Sequence, residues 1–168
     1  IKVKVIYDRD SYITPVWWAP LRGAGGTVIE YRRPGLFRFL AHEHTKCVVV
    51  DDVAVCGGVN FQAGWLYHWY DYDIELQGAV TEEIAGHFEA AETGNYKLRP
   101  IQWNLGSRVL SSNVHGYRAV DGALETLIDG AKESLWIASW MFIPAYGLRT
   151  ALRRALRRGV RVTIIVPL

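Results

Sequence analysis

The chain has 168 residues, half of them hydrophobic and 21% charged, with a formal net charge of +2. That balance supports a folded core and excludes a disordered tail or a strongly basic nucleic-acid arm. The longest apolar stretch, from Leu135 to Leu148, is interrupted by Ser139 and Pro144 and is too short to cross a bilayer.

Taken in order, the elements alternate between strand and helix. Residues 1–7 alternate apolar and basic side chains, as a strand does. A short helix is expected over 14–22, ended by Gly23-Ala24-Gly25-Gly26, and a β-rich strand over 27–31. Residues 45–50 and 53–56 read as a hairpin about Asp51-Asp52, which sets Cys47 opposite Cys56. Two buried free thiols are expected there, with a cross-strand disulfide geometrically open. Residues 71–77 form a strand with Asp71, Asp73 and Glu75 on one face. Thr81 is expected to cap a helix reaching residue 91.

A linker-like stretch rich in Gly and Ser follows, without a clear period. The next helix, 117–132, carries Val120, Leu124, Leu127, Ile128 and Ala131 as its apolar stripe. A strand over 135–140 and a helix with Leu148, Leu152, Ala155 and Leu156 inward come next, and Gly159 ends the helix. A buried strand over 160–166 closes the chain. The arginines opposite those leucines, Arg149, Arg153, Arg154, Arg157 and Arg158, read as a solvated face, the alternative being contact with anionic lipid or nucleic acid. Trp17, Trp18, Trp65, Trp69, Trp136 and Trp140 are expected to fill the core or line a pocket. Trp65, Tyr67 and Tyr70 are the candidates for a membrane interface.

Residues 1–6 resemble residues 160–165 in their basic and apolar positions. Such a self-match implies two copies of one α/β unit. The chain starts without Met inside one strand and stops inside another, so both ends read as truncations. The expected organisation is residues 1–95 as the back part of a first repeat, 96–116 as a linker, and 117–168 as the front of a second.

The chemistry lies in His44-Thr45-Lys46-Cys47-Val48-Val49-Val50-Asp51, followed by Gly57-Gly58-Val59-Asn60. On a strand, His44 and Lys46 point to one face. They offer a nucleophile or proton carrier and a cation, the pair a phosphodiester needs. Gly57 and Gly58 let backbone approach a ligand, and Asn60 adds an amide donor. Asp51 is an odd number of residues from His44, so a structural role at the turn is expected. A nucleophilic histidine needs an acceptor on its other nitrogen. Asp71, Asp73 and Glu75 are the candidates, Asp71 the favoured one. His42 and His44 are spaced to share a metal, but no third ligand has convincing spacing, so no metal is expected.

H-x-K-x₄-D followed by G-G-x-N resembles the signature of the phospholipase D superfamily. His44, Lys46, Asp51, Gly57, Gly58 and Asn60 match it position for position. Trp69-Tyr70-Asp71, Phe142-Ile143-Pro144 and Arg158-Gly159-Val160-Arg161-Val162 resemble further family segments, most closely those of bacterial cardiolipin synthases. The resemblance implies an α/β phospholipase D-like fold, a mixed β-sheet flanked by helices with parts of two pseudo-symmetric repeats. It implies that His44 attacks phosphorus, that Lys46 and Asn60 hold phosphate oxygens, and that a histidine of the other repeat protonates the leaving alcohol. No cofactor is implied. Its partners would be a phospholipid substrate and a membrane surface, at the bacterial cell membrane, and the second repeat completes the site.

The resemblance leaves three functions open: a phosphatidyltransferase, a phospholipase or nuclease on the same fold, and a non-catalytic module that binds phosphate esters. Three departures stand out. Asp52 replaces the family's usual Gly, Ala145 replaces an acidic residue, and the second H-x-K motif is expected roughly 35 residues beyond Leu168.

Overall fold

A computed structural model describes residues 2–8, 18–31, 42–61, 68, 70–93, 109–110 and 119–167. The chain divides into two compact units, Ile1–Val109 and Leu110–Leu168. Both mix α-helices with β-strands.

In the first unit, β1 (Lys4–Tyr7) and β2 (Thr27–Glu30) pair in parallel, with helix α1 (Trp18–Gly23) between them in sequence. Tyr7 and Trp18 pack ring to ring at 5.1 Å, which ties α1 to the strand before it. The part of the helix expected over 14–17 lies outside the described residues.

A separate antiparallel sheet joins β3 (Lys46–Val50), β4 (Val53–Gly57) and β5 (Asp73–Gln77) in that order. Valine runs favour these strands. A two-residue turn fixes the register, with Val50 opposite Val53 and Lys46 opposite Gly57. Asp51 takes φ 52 there, a left-handed conformation that a short polar side chain tolerates.

Strand alternation divides the residues between two faces. Cys47, Val49, Ala54, Cys56 and Leu76 turn toward helix α2 (Ala79–Thr93), where they meet Val80, Ile84 and Phe88. The opposite face carries Lys46, Val48, Val50, Val53, Val55, Asp73 and Glu75. It leaves Val48 and Val55 exposed.

Helix α2 begins two residues before Thr81, so Thr81 is not the cap expected of it. Its hydroxyl donates to the Asp52 carbonyl at 3.1 Å, and the Gly78 amide donates to the same oxygen. Gly78 makes the bend from strand to helix at φ 86. Asp52 also accepts from the Gln77 side-chain amide at 3.0 Å. The hairpin turn and the start of α2 are thereby locked together.

The two cysteines correct the free-thiol expectation. Cys47 and Cys56 are bonded as a disulfide, and no described cysteine is free. Counting from the turn, they occupy a non-hydrogen-bonded pair, whose Cα atoms approach closest in an antiparallel ladder. The Cα separation is 4.3 Å.

The second unit contains α3 (Ala119–Gly130), β6 (Ser134–Ala138), α4 (Tyr146–Arg157) and β7 (Arg161–Ile165), with β6 and β7 parallel. Leu148, Ala151, Leu152 and Ala155 follow helical spacing and pack with Ile128, Leu135 and Val160. Gly159 closes α4 at φ 83.

Arg154 forks onto Asp129 at 2.6 and 2.9 Å, and Arg158 donates to the Ile128 carbonyl at 2.9 Å. These two arginines therefore clasp the end of α3. Trp136 and Trp140 are 72% and 68% exposed, so of the two roles expected of them, filling the core or lining a pocket, the first is corrected. Strand β6 alternates, and Leu135 and Ile137 are the residues on its partly buried side.

Candidate functional site

His44 stands two residues before β3, exposed, and Lys46 opens the strand half-buried. The Lys46 ammonium donates to the His44 carbonyl at 2.7 Å. Burial and the Lys46 charge, in that order, push the His44 imidazole below its ordinary value of 6.5, with Glu43 opposing and His42 adding a little. Lys46 is itself lowered by burial, while Glu43 and Asp71 pull it back up. A depressed histidine is neutral over a wider pH range, the state in which its nitrogen is a nucleophile.

Across the ladder, Lys46, Gly57 and Asp73 form one row. The Gly-Gly pair has a physical reason in this packing. A Cβ on Gly57 would overlap Oδ1 of Asp73 and the Tyr72 carbonyl. A Cβ on Gly58 would stand 2.5 Å from both carboxylate oxygens of Asp71. The two carboxylates fill the space that side chains would take. Val59 donates its amide to Asp73 Oδ1 at 3.4 Å, so Asp73 also braces the loop that carries Asn60, which is half-buried.

Asp71 lies beside Gly58 and within electrostatic reach of Lys46, and its Oδ1 accepts from the Tyr72 amide at 2.9 Å. Among the described residues no hydrogen bond joins it to His44. Asp51 sits in the turn at the far end of β3, about 23 Å along an extended strand from His44. The structure thus links Lys46 to the His44 carbonyl, sets Lys46 across from Gly57 and places Asp71 beside Gly58, and it leaves Asp51 at the far end of β3.

Trp65, Tyr67 and Trp69 lie outside the described residues. Tyr70 is 89% exposed and shares a 2.9 Å hydroxyl contact with Tyr72, which is raised first by that hydrogen bond.

Sequence reasoning missed Asp8. This buried carboxylate follows β1 and accepts the Glu43 amide at 2.8 Å. Its only signal in the sequence is an acid at the carboxyl end of a strand in an α/β pattern, where ligands gather.

No family model matches the chain. The chain is 26% identical over 193 aligned residues to the major cardiolipin synthase ClsA of Bacillus subtilis, covering 99% of this chain and 40% of that protein. It is 27% identical to cardiolipin synthase B of Escherichia coli, over 85% of this chain and 41% of the relative. A cardiolipin synthase of Alkalihalophilus pseudofirmus matches at 27% over 99% of this chain and 38% of its own length. The chain therefore spans about two fifths of the length of the curated relatives it matches.

Proposed function

We propose that the chain carries one half of the active site of a phospholipase D-type phosphatidyltransferase that makes cardiolipin and glycerol from two phosphatidylglycerols. The observation that carries this reading is the pairing of His44 with Lys46 at the mouth of β3, across from Gly57-Gly58. The likeness to proteins named cardiolipin synthase supports the choice of substrate. In this reading the fold is phospholipase D-like, with parts of two repeats, and the whole protein works at a membrane surface. Among the described residues no helix is long and apolar enough to cross a membrane.

The neutral His44 attacks the phosphorus of one phosphatidylglycerol. The P–O bond to the headgroup glycerol breaks, and a histidine of the second repeat protonates the departing alkoxide. A phosphohistidine on His44 results. The terminal hydroxyl of a second phosphatidylglycerol gives its proton to that histidine and displaces His44. Lys46 and Asn60 hold the non-bridging oxygens throughout, where charge develops in each step. Asp71 turns from Gly58 to orient the imidazole in the assembled site. The isolated 168-residue chain is expected to show no turnover.

The test is the full-length protein on phosphatidylglycerol vesicles, with cardiolipin and glycerol measured by mass spectrometry. His44→Ala is expected to retain less than about a tenth of wild-type turnover. Phosphatidic acid as the sole lipid product would make the enzyme a hydrolase, and no product at all would leave a binding module.

A further inference from the structure

We infer that Asp8 is a positioning residue for His44, holding the segment before the nucleophile from the end of β1. The inference rests on the reading of His44 as the nucleophile and deepens it.

Asp8 is only 8% exposed. A carboxylate so placed is costly unless hydrogen-bonded or paired. Its Oδ2 accepts the Glu43 amide at 2.8 Å and stands 3.4 Å from His42 Nδ1. Both contacts fall on the two residues immediately before His44. Residues 42–45 belong to no strand, so ladder pairing does not hold them.

Three hydrogen bonds bracket the His44 backbone. The Glu43 amide goes to Asp8, the Thr45 amide to Glu43 Oε1 at 3.0 Å, and the His44 carbonyl accepts from Lys46 at 2.7 Å. The second and third are local, spanning two residues each. The first crosses 35 residues and ties His44 to a different sheet. Asp8 therefore sets where the imidazole sits relative to the parallel pair β1–β2, while Lys46 and Glu43 set only its local turn. A nucleophile displaced by about 1 Å loses on the order of a hundredfold in rate.

The experiment compares Asp8→Ala and Asp8→Asn in the full-length protein, with kcat and KM on phosphatidylglycerol vesicles and the His44 ring ¹⁵N resonances. Asp8→Ala is expected to lower kcat by about thirtyfold with KM within about twofold. Asp8→Asn keeps an acceptor oxygen for the Glu43 amide and is expected to stay within about threefold of wild type.

A role in stability alone would lower the melting temperature and leave kcat per folded molecule unchanged, and that result for Asp8→Ala overturns the inference. If Asp8→Ala does not fold, Asp8→Asn decides: a loss as deep as that of His44→Ala overturns it. A wild-type protein without turnover sinks the proposed function instead. The resonances then decide, since a His44 ring signal left sharp and unshifted in Asp8→Ala overturns the inference, and one broadened or doubled supports it.

Discussion

The Lys46 ammonium reaches back 2.7 Å to the His44 carbonyl, so the site's cation and its imidazole are held together by the backbone that carries both. The arrangement has an electrostatic consequence. Burial comes first and Lys46 second in lowering His44 below 6.5. On the proposed reading His44 is the nucleophile and works in its neutral form, so activity is expected to rise with pH through this pKa. Lys46→Gln is expected to move the acid limb of kcat/KM to higher pH, toward 6.5, and to cost about a hundredfold in kcat as the phosphate loses its cation. The His44 ring titration followed by NMR checks the first part, and an unmoved titration refutes it. The same depression makes the unfolded chain bind more protons, so the His44 contribution to stability is lost as pH falls from 6.5 through the folded value.

Gly57 and Gly58 separate into two kinds of constraint. At Gly58 the three nearest atoms all belong to the Asp71 side chain, whereas at Gly57 the Tyr72 backbone carbonyl is also within 2.5 Å. A side chain can rotate away, whereas a backbone carbonyl moves only with its peptide unit. Gly57→Ala is expected to destabilise by about 1–3 kcal/mol and Gly58→Ala by less. Asp71→Ala should relieve Gly58→Ala in a double-mutant cycle of urea unfolding, and strictly additive costs would refute the packing explanation.

What could be read without a structure was whatever a local pattern determines. Asp51-Asp52 between valine runs announced the hairpin, and counting back from it set Cys47 against Cys56. Register does not determine oxidation state, so the pairing alone does not separate two thiols from a disulfide. Gly57-Gly58 was visible as a motif, but its packing reason lies in Asp71 and Asp73, just before and at the start of β5, whose distance in space no spacing rule gives. Asp8 was hidden for the same reason, its partner being 35 residues away. A large apolar ring on an apolar strand points to the core or a pocket, but the strand's composition does not say which face is covered, and Trp136 lies on the exposed side of β6.

The disulfide predicts a redox-dependent stability. Cys47 and Cys56 are nine residues apart, and closing so short a loop in the unfolded chain is worth about 2–3 kcal/mol on the chain-entropy account. Cys47→Ser, or reduction with dithiothreitol, should lower the urea midpoint while leaving the slope nearly unchanged. Both sulfurs lie on the face that meets α2, away from Lys46, so turnover per folded molecule should be retained. A midpoint insensitive to reduction would mean that the hairpin's turn and valine pairs already hold the loop closed.

The clasp between α3 and α4 makes a prediction that needs no activity. The Arg154 fork is the first cause that lowers the Asp129 carboxyl from 3.8, with Arg158 contributing through its charge. A carboxylate with a depressed folded pKa gives stability that is present above its unfolded value and is lost as pH falls through the folded one. Both side chains are well exposed, so salt should screen the pair. Arg154→Met is expected to move the Asp129 carboxyl titration up toward 3.8, read by ¹³C NMR. The Arg158 contact to the Ile128 carbonyl should persist and keep α3 docked. An Asp129 titration unchanged in Arg154→Met would show that the fork is not what holds the carboxylate ionised, and would move that role to Arg158.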